Sequence, residues 1–530
     1  MCFYLTFFLK GVYVNMKFKK LICVCLTVCM VGAFGGCTSN DGVSPAENQN
    51  SANTDVKDDL SFINMLTGDA GLEEYHDNNV ITSVRWQKLR LSEEHIKAYP
   101  ALSDAFEKHN KECLTGAKAQ MYEFEPLIED MEGDEFNPAV CQTESKIYMQ
   151  RADIRIVSLL EYTEKYTGGI HPDFFVSCIN LNPHTGDALR LSDVLTDTKD
   201  LPNLLAQKIT QKYEDVAFYD LEDTLGKYKP EEFTWTMDYQ GITFWFSPYE
   251  IASYAVGTLS AKIWFDELPD IFAKGLSESP ENYVMCVPVQ IDAEFDLTEA
   301  DGKTDIICVQ KQADDYGSYN MLSVEVNGKS GIDEDNYAYD FDVYLAHLGG
   351  KNYIYSDSTS DNDYHIICVW DINGNTPQIT QELHGTEFDY EYIEEGFEEG
   401  TVYTQAVNNP DTLKLERRFE ILGTRGATAR YRINPSDGSL QMTDDVYTFN
   451  YGHDVVTSTA LEAEILPDMQ KTQIESGTSL SPYQTDGETF VDLKKSNGQI
   501  IRLEYNASEY PHTIDGVDEE ECFEELMYAG

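Results

Sequence analysis

A leader that ends at Cys37 constrains this chain more than any other feature of its sequence. Residues 16–20 read Met-Lys-Phe-Lys-Lys, residues 21–34 form an apolar run too short to span a bilayer as a helix, and two glycines precede the cysteine. This order is typical of an exported bacterial lipoprotein, whose cysteine is lipidated and becomes the first residue of the mature protein. We therefore expect the protein to fold on the extracellular face of the cell membrane, anchored by a lipid on Cys37.

Two other interpretations of the leader stay open. Phe34 stands where a lipoprotein signal usually has leucine, so an ordinary cleaved signal peptide and an uncleaved anchor are the alternatives. Residues 1–15 hold a second apolar stretch, interrupted by Lys10, and indicate an upstream start codon with Met16 as the true start. We assign residues 1–37 to the leader and lipidation site and exclude them from the expected fold.

The charge of the chain limits its partners. It has 93 Asp and Glu against 38 Lys and Arg, and a formal net charge of -55. Such a polyanion is repelled by nucleic acid and by anionic lipid, and it attracts cationic partners. We expect no nucleic-acid partner, contact with the membrane through the lipid anchor only, and a monomer that binds a cationic envelope protein or a cell-wall glycan.

Length and composition predict several folded domains. Aromatic residues make up 12% of the chain, unlike a disordered acidic segment, and 530 residues exceed what one core normally holds. Residues 38–60 are rich in Ser, Asn, Asp and Ala and are typical of a flexible linker. The patterns that follow predict an α+β N-terminal module and then mainly β domains, the last of them an SH3-like barrel.

The α+β module is predicted over residues 61–280, where helical and strand periodicities alternate. Its predicted elements are a helix over 91–121, a hairpin of strands 157–166 and 174–181 turning at Thr167-Gly168-Gly169, a helix over 201–213, and two aromatic strands, 242–246 and 261–265. Helices and strands in one segment favour a single mixed domain over two separate ones.

A β-rich domain is predicted over residues 283–450. Asn327-Gly328, Gly349-Gly350 and Asn373-Gly374 are typical of tight hairpin turns. Cys308 and Cys368 each stand in the middle of an Ile-Ile-Cys-Val strand, so we expect them to be small buried residues.

Short, regularly spaced strands fill residues 455–530. Asp486-Gly487 and Asn497-Gly498 separate neighbouring strands, and an acidic segment at 518–527 predicts a short final helix. About five small strands in this length suit an SH3-like barrel.

One aspartate group is a candidate calcium site. Asp296, Asp301 and Asp305, with Gly302, are similar to turns that hold calcium through carboxylate and backbone oxygens. A plain β-turn is the alternative, because Thr298 occupies a position that usually carries an acid. A second, weaker group of the same kind is Asp357, Asp361 and Asp363. We expect no other cofactor.

The sequence contains no catalytic motif. It has no phosphate-binding loop, no Gly-x-Ser-x-Gly elbow and no Cys-His arrangement at a characteristic spacing. We therefore predict no catalytic residue and a non-enzymatic role, and we read His171, beside two glycines, as hydrogen-bonded to the local backbone. The alternatives are a wall-active hydrolase with two carboxylates in residues 283–450 and a calcium-stabilised surface protein.

A family resemblance rests on two stretches of the first module. Residues 166–171, with the turn at 185–186 and the segment 191–195, and residues 244–257 resemble the extracellular module of lysozyme-responsive anti-sigma factors and of some peptidoglycan-deacetylase-associated proteins of Gram-positive bacteria. The resemblance spans about 145–275 and implies an α+β fold and a lysozyme-binding surface. The deacetylases carry a Thr-Phe-Asp-Asp-Gly type motif that this sequence lacks, so we expect binding without deacetylation.

Cys37→Ser is expected to abolish incorporation of radiolabelled palmitate, because the thiol is the acyl acceptor of a lipoprotein signal. Cys29→Ser, at another cysteine of the leader, is the matched control and is expected to keep the label. Fluorography of immunoprecipitated protein measures both. Label that persists in Cys37→Ser, or an unlabelled wild type recovered from the cytosol, would contradict the lipid anchor.

Overall fold

The protein is mostly β, with several sheets and few helices. The computed structural model describes residues 62–76, 79–129, 141–297, 304–313, 319–374, 376–393, 401–450, 453–508 and 510–529. Its α-helices are Glu93–Ala98, Pro100–Glu129, Leu191–Val194, Leu201–Lys212, Leu221–Leu225 and Glu519–Cys522. Short 3-10 helices lie at Pro230–Glu232, Tyr254–Val256, Pro269–Ile271 and Asp361–Asp363. Within the described residues, no helix is both long and apolar enough to cross a membrane.

Seven strands form the first sheet, which we call the N-terminal sheet. In order across the sheet they are Tyr390–Ile393, Thr401–Ala406, Met65–His76, Asn79–Leu91, Cys141–Ala152, Val157–Tyr166 and Asp173–Leu181. Asn79–Leu91 and Cys141–Ala152 run parallel, and the remaining neighbours run antiparallel. The hairpin of 157–166 and 174–181 is confirmed, with its second strand beginning one residue early. The strands at 390–406 come from a distant part of the chain.

The helix Pro100–Glu129 covers one face of the N-terminal sheet. Pro100 suits the first helical position, because the missing N–H of proline would have no partner there. Leu102 and Phe106 pack against Leu89 in the core beneath the helix. Asn110 bonds both the N–H and the carbonyl of Leu89, each at 2.8 Å. The helix predicted over 91–121 is confirmed in position, although the chain breaks it into two helices at Tyr99–Pro100.

Three helices, Leu191–Val194, Leu201–Lys212 and Leu221–Leu225, pack on a three-stranded antiparallel sheet, which we call the small sheet. Its strands are Thr234–Met237, Gly241–Phe246 and Leu259–Trp264. The predicted apolar stripe of the long helix, which includes Leu205 and Ile209, enters this core. Gly241 has no room for a side chain, since an added Cβ would lie 2.4 Å from the Ile263 carbonyl oxygen.

Two further sheets build the next core. The four-stranded sheet contains Ala293–Phe295, Asp305–Ala313, Asn320–Val326 and Lys329–Ile332, and the five-stranded sheet contains Gln378–His384, Tyr364–Asp371, Lys351–Ser360, Asp340–Leu348 and Asn282–Cys286. Their apolar residues form one cluster around Trp370, which is 1% exposed. Cys308 and Cys368 are buried mid-strand, as predicted. Asn327-Gly328 and Gly349-Gly350 take the positive φ values that tight hairpin turns require.

The last sheet is the largest. It contains Thr386–Phe388, Leu413–Glu420, Thr424–Ile433, Leu440–Met442, Tyr447–Phe449, Val455–Thr457, Leu461–Ile465, Gln470–Ile474, Ser479–Thr485, Phe490–Lys495, Ile500–Asn506, Thr513–Ile514, Val517–Asp518 and Phe523–Glu524. Tyr447 pairs with Thr485, so strands from both predicted C-terminal domains join one sheet with a shared core. No closed barrel is found among the described strands, and the predicted SH3-like barrel is therefore not confirmed.

Arg151 joins the N-terminal sheet to the chain around the small sheet. Its side chain is fully buried, and its Nε donates to Asp153 Oδ2 at 2.7 Å. The remaining nitrogens donate to the carbonyl oxygens of Leu276 at 2.7 Å, Glu278 at 2.9 Å and Asp238 at 3.3 Å. A buried charge is tolerated only when it is paired and hydrogen-bonded, and this guanidinium meets that condition.

Arg151→Ala is expected to lower the free energy of unfolding by about 3–5 kcal/mol, because it leaves the Asp153 carboxylate buried without its ionic partner. Arg190→Ala is the control. Arg190 pairs with Asp193 at 3.0 Å, but its side chain is 76% exposed, so a much smaller loss is expected. Urea denaturation measures both variants, and equal losses would contradict the role given to Arg151.

Candidate functional site

Two loops meet at the free edge of the N-terminal sheet, beside its last strand Asp173–Leu181. One is the hairpin loop 167–172, and the other is the loop 247–254 that follows the central strand of the small sheet. Tyr254 donates its hydroxyl to the Pro172 carbonyl at 2.5 Å, and the Val176 N–H donates to Ser247 Oγ at 3.1 Å. The two stretches on which the family resemblance rests are therefore in contact.

Aromatic rings connect the two loops. The Tyr254 ring stacks on His171 with centroids 3.8 Å apart, and it lies 5.5 Å from the Tyr249 ring and 6.3 Å from the Phe174 ring. We call Ile170, His171, Phe174, Tyr249 and Tyr254 the aromatic edge. Aromatic pairs at these distances contribute beyond the area they bury, so the rings order both loops.

Two large side chains of the aromatic edge face solvent. Ile170 is 101% exposed and Tyr249 is 57% exposed. A single exposed apolar residue is ordinary, but a group of them beside stacked rings is typical of an interaction surface. Tyr249 also has a φ of 71°, a left-handed conformation that costs a non-glycine residue about 1–3 kcal/mol.

Glu250 holds the Tyr249 loop in this conformation. Its carboxylate accepts hydrogen bonds from the Tyr228 hydroxyl and from the Ser247 N–H, both at 2.8 Å. Burial raises the pKa of Glu250, and these two hydrogen bonds oppose that rise. These hydrogen bonds therefore fix the backbone next to Tyr249, whose ring is exposed to solvent.

Acidic groups surround the aromatic edge. Burial raises the pKa of Tyr254, and the negative charges of Asp173 and Glu164 raise it further. Aromatic faces with carboxylates nearby suit a partner that carries lysine or arginine, because a cation is attracted both to a ring face and to an anion.

The sequence predicted the backbone contact of His171 but not its stacking on Tyr254. Its Nδ1 lies 3.0 Å from the Pro172 carbonyl oxygen, as the predicted contact with local backbone requires. Its stacking on Tyr254 joins residues 83 positions apart in the chain, which no local pattern indicates. The resemblance, which named both stretches, was the only sequence signal for this contact.

The structure describes two members of the first candidate calcium group, Asp296 and Asp305. Asp305 accepts hydrogen bonds from the Leu297 N–H at 2.9 Å and from Asn327 Nδ2 at 2.6 Å. The Asp296 N–H donates to Gln240 Oε1 at 3.0 Å, and the Asp296 carbonyl accepts from Gln240 Nε2 at 2.9 Å. Asp301 and Cys37 lie outside the described residues. Across the part of the chain that is described, no three His, Cys, Asp or Glu side chains converge as metal ligands. The calcium site stays a prediction.

The second aspartate group separates into two sets of contacts. Asp361 accepts hydrogen bonds from Tyr319 and Tyr339. Asp357 and Asp363 instead face His365: Asp357 Oδ1 lies 2.8 Å from His365 Nδ1, and Asp363 Oδ1 lies 3.5 Å from its Nε2.

Two glutamates complete the surroundings of His365. Glu387 Oε2 lies 3.5 Å from its Nε2, and Glu387 pairs across the strands with Glu416. Burial raises the pKa of Glu387 to about 8, opposed by the charge of His365. Glu416 is 6% exposed, and its carboxylate accepts hydrogen bonds from Tyr390 and Asn450. Glu387 and Glu416 therefore lie opposite each other on neighbouring strands, and Glu416 is buried.

Part of the chain matches a known family. Residues 192–266, which include the long helix and the small sheet, match the family described as Protein of unknown function (DUF3298). No curated protein matches the chain in sequence. The chain therefore contains a DUF3298 domain, whose family name assigns no function.

Two solved structures of DUF3298 family proteins are similar to part of the chain. One, from Bacteroides fragilis NCTC 9343, has 18% identity and a TM-score of 0.32, and the match covers 41% of this chain and 96% of that one. The other, from Pseudomonas aeruginosa PAO1, has 16% identity and a TM-score of 0.29, and the match covers 42% of this chain and 99% of that one. The function therefore has to be argued from the side chains of the aromatic edge.

The stability of the protein is expected to fall as pH rises above 6.5, in part through His365. Burial lowers its pKa, but bonds to Asp357 and Asp363 outweigh burial and raise it to about 11 from 6.5. Because the folded state holds this proton more tightly, the stabilisation is complete below pH 6.5 and is lost as pH rises toward 11.

His365→Gln is expected to reduce this fall between pH 6.5 and 10 by more than about 1.4 kcal/mol, the equivalent of one pKa unit. His384→Gln is the control, since His384 is 60% exposed beside Glu382. Urea denaturation at several pH values measures the slopes. Parallel curves for the wild type and His365→Gln would contradict the role of His365.

Proposed function

We propose that the protein is a lipid-anchored cell-surface protein with a non-catalytic binding role, and that its aromatic edge binds a cationic, lysozyme-like protein of the cell envelope. The observation that carries the proposal is the exposed, strained Tyr249, whose ring lies 5.5 Å from that of Tyr254 in the stacked rings of the aromatic edge. Protein interfaces are commonly centred on tyrosines of this kind, surrounded by contacts that exclude water.

The rigidity of the aromatic edge supports a binding role. Glu250 fixes the Tyr249 loop, and Tyr254 fixes the hairpin loop through Pro172. A surface that is ordered before its partner arrives loses little conformational entropy on binding, so more of the contact energy appears as affinity.

The charge of the chain supports the choice of a cationic partner. A net charge of -55 attracts a basic protein over long distances and raises the rate of encounter, an effect that added salt screens. Asp173 and Glu164 extend this negative potential to the aromatic edge itself. Long-range attraction and local contacts therefore favour the same kind of partner.

The resemblance to lysozyme-responsive anti-sigma ectodomains supports the same partner, because the aromatic edge is built from the stretches that carry it. The leader that ends at Cys37 supports the proposed location, since a lysozyme-like protein acts at the cell wall. Neither argument requires a catalytic group in this chain.

Tyr249→Ala is expected to weaken binding of hen lysozyme at least about tenfold, because it removes the exposed ring of the aromatic edge. Tyr510→Ala is the control, because Tyr510 is 80% exposed and its ring neighbour is His512, near the C-terminal end. Calorimetry at low and moderate salt measures the affinity, and thermal melting verifies that both variants fold. No association of the wild type at low salt, or equal weakening by both substitutions, would contradict the proposal.

A further inference from the structure

One lysine–aspartate pair of the small sheet is enclosed away from water. Lys262 lies on the strand Leu259–Trp264, and Asp238 lies in the turn between the other two strands. Lys262 Nζ lies 2.5 Å from Asp238 Oδ2, and the two side chains are 0% and 6% exposed. We call Lys262 and Asp238 the buried pair. Removing two charges from water costs free energy that their attraction often fails to repay, so a neutral product is favoured in the same place.

Aromatic rings lie beside the amine of the buried pair. Lys262 Nζ is 4.5 Å from the centroid of the Trp264 ring and 5.1 Å from that of the Phe295 ring. Such rings attract an ammonium, so a lasting ion pair is the competing state. They also surround the pair with apolar material, and a lysine that is desolvated in an apolar pocket becomes a nucleophile once a proton moves from its ammonium to the carboxylate.

Backbone donors hold the second oxygen of Asp238. Its Oδ1 accepts hydrogen bonds from the Gln240 N–H at 2.7 Å and from the Gly241 N–H at 2.9 Å. Two fixed N–H donors on one carboxyl oxygen have the arrangement of an oxyanion hole, because they stabilise the negative charge that this oxygen gains when Cγ is attacked. The amine faces the other oxygen, Oδ2, which is therefore the one that leaves.

Both partners of the buried pair are immobilised. Arg151 Nη1 donates to the Asp238 carbonyl at 3.3 Å, and Lys262 Nζ donates to the Glu294 carbonyl at 3.0 Å. Cγ of Asp238 is bonded to Oδ2, so a small rotation of the carboxyl group brings it to the about 3–3.5 Å from which an amine attacks. Groups held in this way react as if one were present at about 10⁵–10⁸ M.

We propose that the buried pair condenses to an intramolecular amide, a covalent bond between the side chains of Lys262 and Asp238. Nζ attacks Cγ, the Cγ–Oδ2 bond breaks, and Oδ2 leaves as water. Both protons of this water come from the ammonium, and its third proton stays on nitrogen as the amide N–H. The reaction therefore needs no oxidant, reductant or other reactant.

The amide finds its hydrogen-bond partners already in place. Its N–H takes the Glu294 carbonyl as acceptor, and its oxygen keeps the N–H groups of Gln240 and Gly241. A buried polar group is tolerated when it is hydrogen-bonded, and the amide carries no charge.

The amide closes a covalent ring over residues 238–262. This ring contains the loop 247–254, which supplies Tyr249 and Tyr254 to the aromatic edge. A cross-link reduces the conformational freedom of the chain that it encloses, so the modification keeps this loop ordered. The bond does not depend on what the aromatic edge binds.

Peptide mapping of the full-length protein by mass spectrometry tests the bond. A protease that cuts after glutamate separates Asp238 from Lys262 at Glu250 when the chain is unmodified. In most chains the two fragments are expected to stay joined, with a mass one water below their sum, and fragmentation is expected to place the link between Lys262 and Asp238. Two separate fragments in the digest of the folded protein would overturn the proposal.

Lys414 and Asp389 are a matched control in the same digest. Lys414 Nζ lies 2.6 Å from Asp389 Oδ2, but the lysine side chain is 48% exposed, so water solvates its ammonium and no link is expected. A link at this pair as well would show that condensation does not require the enclosed site, and would overturn the argument.

Lys262→Met removes the nucleophile of the buried pair. Its digest is expected to give two separate fragments, and because the mass is read after denaturation, the result does not require this variant to fold. Fragments that stay joined in Lys262→Met would assign the link to another residue and overturn the proposal.

Discussion

The buried guanidinium of Arg151 holds the N-terminal sheet against the chain around the small sheet, and the aromatic edge depends on this contact. One loop of that edge belongs to the N-terminal sheet, and the other follows a strand of the small sheet. Arg151 binds the carbonyls of Leu276 and Glu278 from within the N-terminal sheet, and it lies over the Tyr239 ring at 5.0 Å. Rings that must stack within a few ångströms tolerate little movement between their supports, so a fully satisfied buried charge is an effective way to hold them.

Other scarce cations join sheets in the same way. Lys262 of the small sheet pairs with Asp238 and donates to the Glu294 carbonyl of the four-stranded sheet at 3.0 Å. Lys146 of the N-terminal sheet and Lys311 of the four-stranded sheet converge on Asp340. Partial burial raises the pKa of Asp340, but the two lysines outweigh it and hold the pKa at about 2. Because this chain has many carboxylates and few cations, each buried cation that pairs with one carboxylate favours one arrangement of the sheets over the alternatives.

The spacing of apolar residues predicted those elements whose packing partners lie close by in the sequence. The hairpin at 157–181, the helix Leu201–Lys212 and the buried Cys308 and Cys368 follow from the spacing of apolar residues. The pairing of Met65 with Ala406 did not, because 341 residues separate them and no short window encodes that contact. For the same reason the last strands looked like a separate barrel, although they continue a larger sheet.

Hydrogen–deuterium exchange with hen lysozyme tests most directly whether the aromatic edge is the surface that a cationic envelope protein contacts. The expected result is slower exchange in the segments 167–176 and 247–257 when lysozyme is added at low salt, with unchanged exchange in Ser479–Thr485 of the last sheet. Protection confined to other segments, or no protection at a lysozyme concentration that saturates the calorimetric signal, would contradict it.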